Sequence, residues 1–482
     1  MTSIEIQTVI STAADGRTRD LRYRQRQFIS LHKWITSHRI DIETAACKDD
    51  NLSKLEAQLM VSLTLRELRE QYEELDLKKT LDGEYSVKNG RNNGGGSSSE
   101  DLVYILPEAF TFFYSVMCAM CTCIAAGSCC VIELPTDFMH SSSVTRQCLI
   151  ESLDMTAYGV TSTRPPSEIL NRCLVIDQIG VLPSLTGRRT LRSQPQLGTV
   201  AVIDRTANLE LATKEILCSR TFFSSGGPYA PSCILVNEYV EDDFVRLFRE
   251  QLSTVNGHVA IEKRKDTNVV NEMVPKRASE TIPQELLLNA NGFRVIKVLG
   301  RDYLQVHGSR RANVIHLLAT SSQDDAIDAL NKDDQNPLLA LYVFAGPRVA
   351  KYLTQFVRSN VSFVNHIPAN LLVGPAAPID YPVSPIARYR RHMMETPSPK
   401  FVTRLSGELD LQGLVREGLK MSQTLYNDSL QPLKPTGQPK EGDKNFFAQG
   451  MLTGFILLVL PLFTGVVVGT SYIVLKLYRH WR

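Results

Sequence analysis

Between Asn445 and Leu475 the sequence has no charged residue, and Met451 to Leu475 (MLTGFILLVLPLFTGVVVGTSYIVL) carries no charge on any side of a helical wheel. At about 1.5 Å per residue this stretch reaches about 37 Å, enough to cross roughly 30 Å of hydrocarbon. A membrane-spanning helix over residues 446–475 is therefore expected, with the lipid bilayer as its partner. Pro461, Gly454, Gly465 and Gly469 do not oppose it, because neighbouring groups re-satisfy the backbone where such residues interrupt a span. The polar, Pro-punctuated stretch 432–445 reads as a tether. Residues 476–482 form a basic tail, with Tyr478 and Trp481 suited to the interface.

Two signals oppose each other on topology. Lys476, Arg479 and Arg482 favour the cytosol by the positive-inside rule, which would place the bulk of the chain in a lumen. The ten cysteines, with no secretory pattern at the N-terminus, favour a reducing compartment and a tail anchor. The second is adopted as the expectation. Sequons at Asn51, Asn360 and Asn427 would matter only in the first.

A second uncharged run, Phe110 to Ile132, is also long enough to span. Its Ala125-Ala126-Gly127-Ser128 interruption reads instead as a helix C-terminus with glycine at the turn, followed by a strand Cys129–Glu133 closed by Pro135. This predicts a helix buried against a parallel sheet. Cys118 and Cys121 have redox-motif spacing, but no basic neighbour depresses a thiol pKa there, and core packing is the expected role. No histidine lies close enough in sequence to complete a zinc set, and no metal is expected.

The rest of the chain is globular. Lys+Arg 53 against Asp+Glu 51 leaves a formal charge of +2, so no global field points to a nucleic-acid partner. Residues 1–88 read as amphipathic helices, among them one carrying Leu63, Leu65, Leu68, Tyr72 and Leu75. Residues 89–100, containing NGRNNGGGSSS, read as a flexible linker too poor in apolar side chains to pack. Short apolar runs then alternate with helical stretches: Leu102–Leu106, Cys129–Glu133, Thr199–Ile203, Cys233–Val236, Val314–Ala319 and Leu339–Phe344. That rhythm predicts α/β layers.

Certain residues resemble a family. Gly16-Arg-Thr-Arg19, Leu21, Tyr23-Arg24, Gln27-Phe28 and Leu31 are similar to the N-terminal signature of class 3 aldehyde dehydrogenases. Cys123-Ile-Ala-Ala-Gly-Ser128, Phe222 to Gly227, Ala230-Pro231, and Pro337 to Phe344 with Val364-Asn365 continue the likeness in order along the chain. The C-terminal apolar segment resembles the fatty-aldehyde branch, whose members are anchored to the endoplasmic reticulum. The resemblance implies a Rossmann-type cofactor domain (101–205), an α/β catalytic domain (206–400), a C-terminal helical segment (401–431) and the transmembrane helix.

The family's reaction needs a cysteine thiolate, a carboxylate base, an amide for the oxyanion and a nicotinamide cofactor. At the position of the nucleophile this chain has Pro228 or Tyr229, depending on the direction of counting. Gln196 stands for the base, Ala109 for the asparagine donor and Leu134 for the ribose lysine. Cys233, just beyond, is a candidate displaced thiol. Loss of four groups together implies a scaffold that has shed this chemistry: a pseudoenzyme without cofactor, binding a hydrophobic ligand or forming a homo-oligomer, or a hetero-oligomer with an active relative. The alternative is an active oxidoreductase of long-chain or natural-product aldehydes, using NAD or NADP.

Overall fold

The computed structural model describes the chain apart from residues 1–3, 91–96, 135–138, 183–188, 256–283, 291–292, 301–313, 333–335, 399–407, 435–436, 438–445 and 482. Pro135, the middle of the expected linker and most of the tether lie outside the described residues. Contacts divide the chain into two units, Met1–Thr403 and Arg404–Arg482.

The first unit opens with five helices: α1 (Ile4–Asp15), α2 (Leu21–Ser37), α3 (Arg39–Asp49), α4 (Lys54–Glu73) and α5 (Leu77–Lys88). The α4 start is a capping box. Ser53 Oγ accepts from Glu56 N–H, and Glu56 Oε2 accepts from Ser53 N–H at 2.7 Å. The short strand β1 (Ser97–Ser99) follows and pairs antiparallel with Glu395–Pro397. The serine end of the expected linker is thus ordered by backbone pairing, which needs no apolar side chain.

Five strands build the first sheet: β2 (Leu102–Leu106), β3 (Cys129–Glu133), β4 (Tyr158–Thr161), β5 (Leu174–Asp177) and β6 (Thr190–Arg192). All are parallel, in the order β4-β3-β2-β5-β6. Helix α6 (Phe112–Ala126) links β2 to β3, α7 (Met139–Ser152) links β3 to β4, and α8 (Ser167–Leu170) precedes β5. The second sheet holds β7 (Thr199–Ile203), β8 (Cys233–Asn237), β9 (Gln284–Ala290), β10 (Phe293–Val298), β11 (Val314–Thr320), β12 (Ala340–Phe344) and β13 (Ser362–Val364), with α9 (Leu209–Thr221) and α10 (Glu241–Val255) before and after β8. Its order is β13-β12-β7-β8-β11-β10-β9, parallel except for β9. β14 is the Glu395–Pro397 partner of β1. The sheet changes between β6 and β7, ahead of the division expected at 205.

All six expected strands are present, because their apolar runs are buried on both faces of parallel sheets. The cysteine-rich run is a buried helix, with all fifteen residues of α6 inside the core. Gly127 ends it at φ 82°, with Gly127 N–H donating to Ile124 O and Ser128 N–H to Cys123 O, a Schellman pattern. The N-terminal signature holds this end. Thr18 Oγ1 donates to Gly127 O at 2.7 Å, and Arg24 Nη1 to Ala125 O at 2.7 Å, supplying a cation to the negative end of the helix dipole.

The second unit contains helices Leu411–Glu417 and Leu419–Ser429, then an apolar helix from Phe446 to Trp481 with a π-helical turn at Phe455–Val459. Its stretch Gly450–Trp481 is long and apolar enough to cross a membrane. The expected tail continues this helix, since nothing between Leu475 and Trp481 breaks it.

At Gly127 a Cβ would lie 3.0 Å from Thr18 O and 3.2 Å from Arg19 Cα, and φ is left-handed. Gly127→Val should therefore cost about 1–3 kcal/mol in urea unfolding. An unchanged midpoint would contradict the placement of the N-terminal signature against this turn.

Candidate functional site

In a parallel sheet of this order, the order in which successive strands are added reverses between the central strands, and ligands bind outside the carboxyl ends at that point. In the first sheet this point lies between β2 and β5. Two sets of amides face it. One is the first turn of α6, whose N–H groups lack helical partners. The other is the turn after β5.

Each set lies against a carboxyl group of the chain itself. Asp50, in the connection from α3 to α4, is buried at the start of α6, where the N–H groups of Thr111 and Phe112 pull its carboxyl down against the rise from burial, and its Oδ2 has no hydrogen-bond partner. Asp177 takes the other set, with Oδ1 accepting from Gly180 N–H and Oδ2 from Leu182 N–H, each at 2.8 Å. Gly180 has φ 78°, and a Cβ there would lie 2.6 Å from Ser193 O. Its close approach is to the chain's own backbone. Gln178, fully buried, bridges the floor: its Oε1 accepts from Glu108 N–H at 2.9 Å, and its Nε2 donates to Ser115 O at 2.9 Å.

Of the residues at the expected catalytic positions, Pro228 and Tyr229 are buried, Ala109 is half-buried and Gln196 is exposed. Ala109 lies in the β2–α6 turn beside Phe110, whose ring packs on Gly226, where a Cβ would fall 2.5 Å from it. Gly227 sits against Leu372 O, and Pro228 O accepts from Thr199 Oγ1 at 2.8 Å. Tyr229 is fully buried. Its hydroxyl accepts from Ala377 N–H at 3.0 Å, and its carbonyl accepts from the Tyr342 hydroxyl at 2.9 Å. The turns bearing Ala109 and Tyr229 therefore meet, through an aromatic ring. Gln196 is exposed at the β5–β6 side, and Leu134 is buried in the core after β3.

Cys233 opens β8 and packs with Val200, Leu235 and Leu341, a cluster on the sheet face opposite that of Tyr342 and Ile234. Burial pushes its thiol up to about 12, so at neutral pH it is a protonated core group. Burial also raises Cys118 and Cys121 well above the ordinary range. Among the described residues, no three acidic, histidine or cysteine side chains could together hold a metal ion.

A buried polar cluster beneath Tyr229 is the part that motif comparison missed. Glu67 on α4 accepts from the Tyr114 hydroxyl at 2.5 Å and from Arg388 N–H at 2.9 Å. Arg388 Nη2 donates to Val373 O at 2.7 Å, and its guanidinium lies 5.2 Å from the Tyr229 ring centroid. Burial raises the Glu67 carboxyl, while the Tyr114 and Arg388 bonds oppose that rise. The cluster ties α4, α6, the Tyr229 turn and the 373–389 segment together. Its sequence signal is Glu67 and Gln71 continuing the buried stripe of Met60, Leu63 and Thr64.

A pyrophosphate at the turn after β5 would meet the Asp177 carboxylate already bonded there.

No protein-family sequence model matches the chain, nor does any curated protein sequence. Solved structures do. A substrate-bound AldH of Staphylococcus aureus superposes with a TM-score of 0.66 at 16% identity, covering 89% of this chain and 100% of the other. Lactaldehyde dehydrogenase of Escherichia coli gives 0.60 at 14%, with 75% and 82% covered. Glyceraldehyde-3-phosphate dehydrogenase GapN of Methanocaldococcus jannaschii, complexed with NADP, gives 0.57 at 13%, with 75% and 85% covered. The fold is that of the aldehyde dehydrogenases.

The Asp50 carboxyl is pushed up to about 7, by burial first and by Asp49 second, against the pull of the two N–H groups. A folded-state pKa above the ordinary 3.8 means that the folded chain binds the proton more tightly. The stability tied to that proton is fully present below 3.8 and is lost as pH rises through about 7. Asp50→Asn should remove this component, so its melting temperature should fall less than that of the wild type between pH 5 and pH 8, by about a few degrees. Parallel profiles would show that Asp50 does not occupy the α6 terminus.

Proposed function

We propose that this chain is a membrane-anchored, aldehyde dehydrogenase-like protein whose cleft has given up hydride transfer, and that it acts as a binding or scaffold subunit. The observation that carries this reading is the pair of bonds by which Asp177 holds the Gly180 and Leu182 amides at the β2/β5 switch point, with the Asp50 carboxyl buried against the first amides of α6. The Tyr229 turn supports it, since Phe110 fills the space over Gly226 and Tyr229 is bonded to Ala377 and Tyr342. Descent from the class 3, fatty-aldehyde branch accords with the N-terminal signature at the α6 terminus and with the C-terminal apolar helix. We place the helix in the endoplasmic reticulum membrane and the first unit in the cytosol, where ten cysteines outside any disulfide stay reduced.

The test is a calorimetric titration of the full chain in lipid nanodiscs with NAD and with NADP, followed by an assay for NAD(P)H production from long-chain aldehydes. Neither saturable binding up to about 1 mM nor turnover is expected. Turnover abolished by Cys233→Ser would overturn the reading and identify a displaced nucleophile. Saturable binding without turnover would overturn the claim that Asp50 and Asp177 replace the cofactor.

A further inference from the structure

We propose that the helix pair Leu411–Glu417 and Leu419–Ser429 lies in the headgroup layer of the bilayer with one apolar stripe facing lipid. This rests on the reading that the helix from Phe446 onward spans the membrane. The two helices pack on each other through Gly413 and Met421, where a Cβ on Gly413 would lie 3.2 Å from Met421 Sδ. That contact leaves a second stripe without a partner. Leu411 (73% exposed) and Val415 (87%) fall on one side of the first helix, and Leu419 (80%), Tyr426 (62%) and Leu430 (63%) on one side of the second. At 100° per residue the latter three fall within about 40° of arc, with Lys420, Asn427 and Asp428 turned away. A stripe so narrow, with a tyrosine among large aliphatic side chains, suits a helix lying in an interface.

Chain length argues for lipid as the occupant. Sixteen residues separate Ser429 from Phe446, a reach of at most about 55 Å, so the helix pair cannot leave the neighbourhood of a bilayer holding the apolar helix. Charge indicates the kind of lipid. Between residues 408 and 431 the acids Glu408, Asp410, Glu417 and Asp428 outnumber the bases Arg416 and Lys420, so anionic headgroups would not attract this segment. Insertion of the apolar stripe into zwitterionic lipid, insensitive to salt, is the mode that remains.

The test uses the full chain in phosphatidylcholine vesicles, with or without lipid brominated near the headgroup end of its acyl chain. Leu430→Trp is made in a Trp481→Phe background, and native Trp481 in the parent chain reports on the spanning helix. Buried Trp34 is common to both. Brominated lipid should quench the introduced indole about two-fold, unchanged by high salt, and Leu419→Glu should relieve most of that quenching. An unquenched indole beside a quenched Trp481 would overturn the inference alone, and a blue-shifted emission in that case would mean docking on protein, either the first unit or a second copy. Failure of Trp481 to quench would overturn the membrane reading together with it.

Discussion

Helix α6 is the constraint on which the rest of the first unit depends. An uncharged fifteen-residue helix, buried on every side, exposes nothing to water with which to satisfy its ends. Its terminal N–H and C=O groups must find partners inside the protein, because an unpaired buried polar group costs about 1–3 kcal/mol. The C-terminal carbonyls receive Arg24 and the Gly127 turn. The N-terminal amides lie against the buried Asp50 carboxyl, and Thr111 Oγ1 accepts from Gly374 N–H at 2.8 Å. Three distant parts of the chain are thereby fixed to one helix.

A helix N-terminus at a switch point can hold an external anion or face a group of the chain itself, and here the Asp50 carboxyl is buried against it. The β5 turn repeats the solution with Asp177, and Arg192 adds a cation 3.9 Å from that carboxylate. Below, Glu67, Tyr114, Arg388 and Tyr229 make a polar core. A buried charged group is costly unless paired, and Glu67 meets that demand by accepting from both Tyr114 and Arg388. The groove found on the surface, about 220 Å³ and lined by Phe28, Ile29, His32, Leu68, Arg69 and Tyr72, lies on the α2–α4 pair, on the side of α4 away from Glu67.

Much of this architecture was legible in local patterns. Uncharged runs bounded by glycine marked β2, β3 and α6, and Gly127 marked the helix end, because burial and a left-handed turn leave strong signatures in few residues. Strands β4, β5 and β6 were not marked. Each is three or four residues long, too short for periodicity to register. The site was legible only as departures at Ala109, Leu134, Gln196 and Tyr229. The contacts around these positions come from residues far apart in the chain: the Asp50 carboxyl is buried beside Thr111, and Glu67 meets Arg388, which only the assembled fold creates. Glu67 and Gln71 left a trace, as polar residues continuing an apolar helical stripe.

The amides at the switch point are held against the chain's own carboxyl groups, Asp177 and Asp50. Hydrogen exchange of Thr111, Phe112, Gly180 and Leu182 at pH 8, with and without millimolar NAD or NADP, tests it most directly. Strong protection without nucleotide, unchanged on its addition, is the predicted result. Rapid exchange in the free protein, slowed when nucleotide is added, would contradict it.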